Sequence, residues 1–148
     1  MRIDTTVHIN KAMEEVYDFL TTPGNWPRWH PSSLGVRGAV DHSLDAGEQV
    51  TEEYRVAGQN GTAVWTVRER AAPVRWVIDG VAENGSAATI TYTLTGDAHG
   101  TQFHRELVVT KLPTAGAQVD REAFRRAVEA ESAEALRRLK QVLEEAPG

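Results

Sequence analysis

The sequence predicts an α+β domain in which an antiparallel sheet of about seven strands curves around one long C-terminal helix. Three observations carry this. Residues 2 to 9 alternate apolar and polar side chains. Residues 35 to 112 read as Val-, Thr-, Tyr- and Trp-rich segments separated by turn signals. Residues 118 to 146 lack glycine and proline and repeat apolar residues at helical spacing. The chain has 148 residues, enough to bury a real core, and is read as a single domain over 1–148.

In the first segment Ile3, Thr5, Val7 and Ile9 share one face and Asp4, Thr6 and His8 the other, the pattern of a half-buried strand. Asn10 suits a helix N-cap, Glu14 and Glu15 favour the helix dipole, and Met13, Val16, Tyr17 and Leu20 recur at helical spacing. Thr21-Thr22-Pro23-Gly24 stops that helix, and Pro27 allows one further helical turn. Six strands are then expected at 35–40, 48–57, 62–70, 75–82, 87–95 and 101–112. Asn60-Gly61 and Asn84-Gly85 read as tight hairpin turns, because both central residues of such turns adopt positive φ. Gly96 to Gly100 and Ala71-Ala72-Pro73 supply two more breaks.

The segment 118–146 would run roughly 40 Å as one helix at about 1.5 Å per residue. Phe124, Ala127, Val128, Ala135, Leu139 and Val142 make its apolar stripe, widened by Leu136 and Leu143. Glu122 with Arg126 and Glu134 with Arg138 sit four residues apart on the polar side, in the stabilising order.

Composition narrows the function classes. There is no cysteine, which removes disulfides, thiolate nucleophiles and Cys-ligated metals and fits a cytoplasmic location. No signal peptide is visible, and no run approaches the ~18 apolar residues of a membrane span, so no stable membrane insertion is expected. With a net charge of −5 and lysine only at 11, 111 and 140, no nucleic-acid partner is expected. His8, His30, His42, His99 and His104 form no metal-binding spacing. A nucleophile elbow, a phosphate-binding loop and a dinucleotide fingerprint are all missing, so neither metal nor cofactor is expected.

The order is strand, helix, short helix, six-strand meander and long helix. With it come Val16-Tyr17-Asp18-Phe19-Leu20 after the opening strand, Trp26-Pro27-Arg28-Trp29-His30-Pro31, Val67-Arg68-Glu69 before Pro73, and Gly100-Thr101 opening the last strand. In these respects the whole chain resembles the START-like (SRPBCC, helix-grip) superfamily, and within it the polyketide cyclase/dehydrase-like branch. The resemblance implies a deep cavity between sheet and long helix that takes lipids, polyketides or other apolar molecules. It also places the Trp26–Pro31 segment near the cavity mouth.

Candidate site residues follow from strand parity and this resemblance. Trp26 and Trp29 could stack on a flat ligand or staple the short helix to the core. His30 could move a proton near neutral pH or cap a turn. On the last strand Phe103, Arg105, Leu107 and Val109 share the more apolar parity, which aims Arg105 inward. A buried guanidinium needs a partner. Glu52, which shares parity with Val50, Tyr54 and Val56, is one candidate, and a ligand carboxylate, enolate or phenolate is the other. Tyr54, Trp76, Ile78, Ile90 and Tyr92 follow the apolar parity of their strands, and Phe124 and Val128 that of the long helix. Glu131, toward the helix stripe, reads as a carboxylate at the cavity rim.

Three functions are compatible with these residues. The first is a binding protein for an apolar or aromatic small molecule, acting as monomer or homodimer, with Trp26, Trp29, Glu52, Tyr54, Trp76, Ile78, Ile90, Phe103, Phe124 and Val128 as its lining. The second is a cyclase/dehydrase in which His30, Tyr92 or Arg105 moves a proton or stabilises an enolate. The third is a protein-interaction module like the co-chaperone and quinone-associated branches of the superfamily.

Overall fold

The computed structural model describes residues 1–112 and 120–145. β1 (Arg2–Ile9) leads into α1 (Met13–Thr21), a 3-10 turn at Pro23–Asn25 and the short α2 (Trp26–Trp29). The strands β2 (Ser33–Gly38), β3 (Gln49–Val56), β4 (Gln59–Ala71), β5 (Arg75–Ala82), β6 (Ala87–Asp97) and β7 (Gly100–Lys111) follow, then α3 (Arg121–Glu145). All seven strands form one antiparallel sheet in the order β1-β7-β6-β5-β4-β3-β2, so each meander strand pairs with its sequence neighbours and β1 closes against β7.

α3 lies along β1. Arg125 reaches the carbonyl of Arg2, Lys140 donates to the carbonyl of His8 at 2.7 Å, and Glu144 accepts the Asn10 N–H at 2.8 Å. Between helix and sheet is a core of Ile9, Val16, Tyr17, Leu20, Trp26, Trp76, Leu94, Phe103, Leu136, Leu139 and Leu143. The predicted pairs Glu122–Arg126 and Glu134–Arg138 both form on the solvent side of α3.

Several local expectations are corrected. Asn10 does not cap α1. The helix begins after Ala12, and the Asn10 N–H is used by Glu144 instead. The second helical turn starts at Trp26 rather than Pro27, which leaves Pro27 inside its first turn. Residues 118, 119 and 146 of the expected long helix lie outside the described residues. Asp120 precedes α3 and caps it, its Oδ1 accepting the N–H groups of Glu122 and Ala123 at 3.1 Å each. Val142 is half-buried and Ser132 fully buried, so the buried stripe is rotated slightly from the apolar one.

The β3–β4 hairpin turns at Ala57-Gly58, both with positive φ (50° and 79°), and not at Asn60-Gly61. Gly61 instead lies within β4 opposite Tyr54, whose ring covers it. A Cβ at Gly61 would stand 2.3 Å from the tyrosine hydroxyl. The glycine is there for an aromatic ring, not for a turn. Asn84-Gly85 does lie in the β5–β6 turn, with φ +86° at Gly85.

Candidate functional site

The sheet and α3 diverge toward the N-terminal half of the helix and enclose a cavity of about 580 Å³. Its walls come from alternate residues of β3 to β7, from α2 and the segment after it, and from Asp120 to Ser132. Small side chains make the room: Ala63, Gly80, Ala82, Ala87 and Ala88 on the sheet, Ala123 and Ala127 on the helix.

Of the residues singled out from sequence, Trp26, Trp29, His30, Glu52, Tyr54, Ile78, Ile90, Tyr92, Arg105, Phe124 and Val128 all line this cavity. Trp76 and Phe103 do not. Both have no exposed surface and lie in the packed core behind the wall. The Trp76 ring leans on Tyr92 and Trp26, its indole N–H donates to the Leu44 carbonyl at 3.2 Å, and Phe103 meets Tyr92 edge to face at 5.0 Å. Strand parity chose the correct face for both, but parity says nothing about height along the strand. At their level α1 and the C-terminal half of α3 fill the concavity.

The polar groups of the cavity gather beside that packed end. Arg105 is 5% exposed and donates from Nη1 to Ser132 Oγ at 3.3 Å. Its Nε is buried without a hydrogen-bond partner. No ion pair joins Arg105 to Glu52 or to any other carboxylate among the described residues. Glu52 instead accepts the indole N–H of Trp65 at 3.0 Å. Burial raises the Glu52 pKa, with the Trp65 hydrogen bond and the Arg105 charge pulling the other way. Tyr92 pairs across the strands with Arg105, and burial pushes its phenol up to about 12, against the pull of the Arg105 charge.

His30 both caps a turn and lines the cavity. Its Nδ1 accepts the Ser32 N–H at 3.1 Å, which leaves Nε2 to carry the proton. Burial holds its pKa well below 6.5, and the charges of Arg105 and Arg138 add to the effect. The imidazole is therefore neutral at pH 7, a donor at Nε2 and an acceptor at Nδ1. Glu131 is not a free rim carboxylate. It accepts from Ser32 Oγ at 3.1 Å and from the Ala57 N–H at 3.0 Å, tying α3 to the α2 segment and to the β3–β4 turn.

Other contributors were not singled out as site residues from sequence. Ser132 falls within the buried helix face, and a serine four residues after Val128 was the available signal. Trp65 shares the parity of Ala63 and Val67, an alternation that points it inward. Its ring covers Gly80, where a Cβ would come within 2.4 Å of it. The significance of Gly61 and Gly80 depends on cross-strand register, which no single strand reveals. Among the described residues no group of three metal-ligating side chains converges, and no helix is long and apolar enough to cross a membrane.

Comparison with known proteins places this geometry. A family model described as polyketide cyclase / dehydrase and lipid transport matches residues 1–144. A fungal protein, penitrem biosynthesis cluster 1 protein I of Penicillium ochrochloron, is 36% identical over 63 residues, a match that spans 41% of each chain. Protein CV1439 of Chromobacterium violaceum superposes with a TM-score of 0.74 at 16% identity, covering 99% of both chains. A START superfamily protein of Mycobacterium smegmatis superposes with a TM-score of 0.71 at 14% identity, again over 99% of both. At these identities the two structures attest the shared fold.

Proposed function

We propose, from the premise that the chain belongs to the polyketide cyclase / dehydrase and lipid transport family, that it binds one apolar or aromatic small molecule between the sheet and the N-terminal half of α3. The observation that carries this reading is the cavity of about 580 Å³, a volume typical of small-molecule sites. Tyr54 and Trp65 cover glycines on its sheet wall and give it aromatic surface, which suits an aromatic ligand. Titration with the neutral fluorophore N-phenyl-1-naphthylamine tests it. Saturable binding near one per chain, abolished by Ala127→Trp at unchanged melting temperature, is the expected result. Binding that ignores Ala127→Trp would mean that the cavity is not the site.

The cyclase/dehydrase reading draws on a different observation: neutral His30, Tyr92 and Arg105 all face the same space. An enolate oxygen formed there would meet Arg105, and His30 Nε2–H would be positioned to donate a proton. Turnover of a poly-β-ketone thioester analogue, lost in His30→Phe but with probe binding retained, distinguishes an enzyme from a carrier.

A further inference from the structure

Arg105 is the one buried charged side chain among the described residues. The surface arginines Arg68, Arg75 and Arg138 each pair with a carboxylate. Arg105 has only neutral hydroxyls beside it, those of Ser132 and Tyr92, and its Nε has no partner. A guanidinium away from water with no ion-pair partner is unfavourable, and neutral hydroxyls offset only part of that cost. Glu52 lines the same cavity and feels the Arg105 charge, but it makes no ion pair with it and accepts from Trp65.

Beside Arg105, Tyr92 turns its hydroxyl oxygen to the guanidinium and so keeps its own O–H to donate. Tyr92 stands opposite it on β6 and opens onto the cavity. His30 spends its Nδ1 lone pair on Ser32, so the remaining ring nitrogen is an N–H. A pole rich in donors and holding a positive charge matches a group that only accepts and is negative. The rest of the wall joins apolar and aromatic side chains such as Tyr54, Trp65, Ile78, Ile90 and Phe124 to polar ones, Gln59, Asn60 and Ser86, and to the carboxylates Asp120 and Glu131, the latter held by Ser32 and the Ala57 N–H.

We propose that Arg105, assisted by Ser132, Tyr92 and His30, is an anion subsite that receives the carboxylate of an apolar, aromatic acid, whose body extends toward Phe124. This rests on the cavity being a ligand site, and it narrows the ligand from apolar molecules in general to amphipathic acids. The carboxylate would lie deep, against the packed end, and the ring system near the mouth.

Anthracene-2-carboxylate and the uncharged anthracene-2-carboxamide, which have the same aromatic body, test the assignment by fluorescence titration at pH 7.5. The wild type is expected to bind the carboxylate roughly tenfold or more tightly than the amide, the scale of one charge-assisted contact. Arg105→Met should erase that preference, weakening the carboxylate far more than the amide, and keep or raise the melting temperature. Arg105→Lys, which keeps the charge, should retain part of the preference. Equal affinity of the wild type for the two compounds overturns the anion subsite and leaves the cavity reading intact. Failure of both to bind overturns both. A fall in melting temperature for Arg105→Met and Arg105→Lys alike marks the arginine as structural and also overturns the assignment.

Discussion

The two halves of α3 face the same sheet and do opposite things. From Ala135 to Leu143 the helix presses Leu136, Leu139 and Leu143 into a core with Val16, Leu20, Trp76, Leu94 and Phe103. From Ala123 to Ser132 it presents Ala123, Phe124, Ala127, Val128 and Ser132 to open space. The sheet changes in step, from Trp76 and Phe103 at one level to Gly80, Ala82, Ala87 and Ala88 at the other. A curved sheet around a helix has more interior than small side chains can fill. Where the residues are large the fold gains stability, and where they are small it gains a cavity. One element thus divides stability from binding along its own length, and substitutions should separate the two.

The largest effect expected is from removing residues 118–148. Burial of large side chains such as Leu136, Leu139 and Leu143 contributes roughly 1.5–3 kcal/mol each, against a total stability of about 5–15 kcal/mol. The truncated chain should show no cooperative thermal transition by circular dichroism. A sharp melt would mean that the sheet and α1 suffice by themselves, and the division of labour along α3 would fail.

A paired comparison comes next in size. Leu139 has no exposed surface, so Leu139→Ala should lower stability by roughly 2–5 kcal/mol in urea unfolding while leaving probe affinity near that of the wild type. Phe124 is half-buried in the cavity lining. Phe124→Ala should cost about 1 kcal/mol or less and weaken probe binding several-fold. Equal stability losses at the two positions would show that the open half is as tightly packed as the closed one.

How much of this was legible in the sequence also follows the division between the halves. Period and parity located every strand to within a few residues, placed Arg105 and Glu52 on the concave face, and gave α3 its apolar stripe. These are properties of single elements. The position of the boundary between core and cavity is not, because it depends on which residues meet across strands and at what height. Trp76 and Phe103 were therefore assigned to the lining though they belong to the core. Asn60-Gly61 resembled a turn because a glycine under a tyrosine and a glycine in a hairpin look alike until the register is known. Glu131 read as a solvated rim group because its two partners, Ser32 and the Ala57 N–H, are 99 and 74 residues away in sequence. The family resemblance supplied the cavity in general terms and strand parity aimed Arg105 into it, while the absence of a carboxylate partner among the described residues depends on contacts across the fold that no single strand reveals.

The smallest expected effect concerns His30, at the junction of the two halves. Burial, with the Arg105 and Arg138 charges, holds its folded-state pKa well below the ordinary 6.5. The unfolded chain therefore takes up a proton first as pH falls. Stability is complete above about pH 6.5 and declines below it until the folded protein can also be protonated, with a slope of at most about 1.4 kcal/mol per pH unit. His42 acts in the opposite direction, since Asp41 and Glu48 raise its pKa and its contribution is lost as pH rises, but it is solvent-exposed and its effect is weak. Carboxylates with lowered pKa, such as Glu134 at about 2, lose their contribution only at much lower pH. Glu52, whose pKa burial raises, works the other way and adds stability as pH falls, so between pH 7.5 and 5.5 the decline should belong mainly to His30. His30→Asn can keep the acceptor for the Ser32 N–H and cannot titrate, so its urea midpoint should change less over that range than the wild type's. Parallel curves for the two proteins would place His30 in contact with water, outside the influence of Arg105, and would remove it from the donor cluster at the inner end of the cavity.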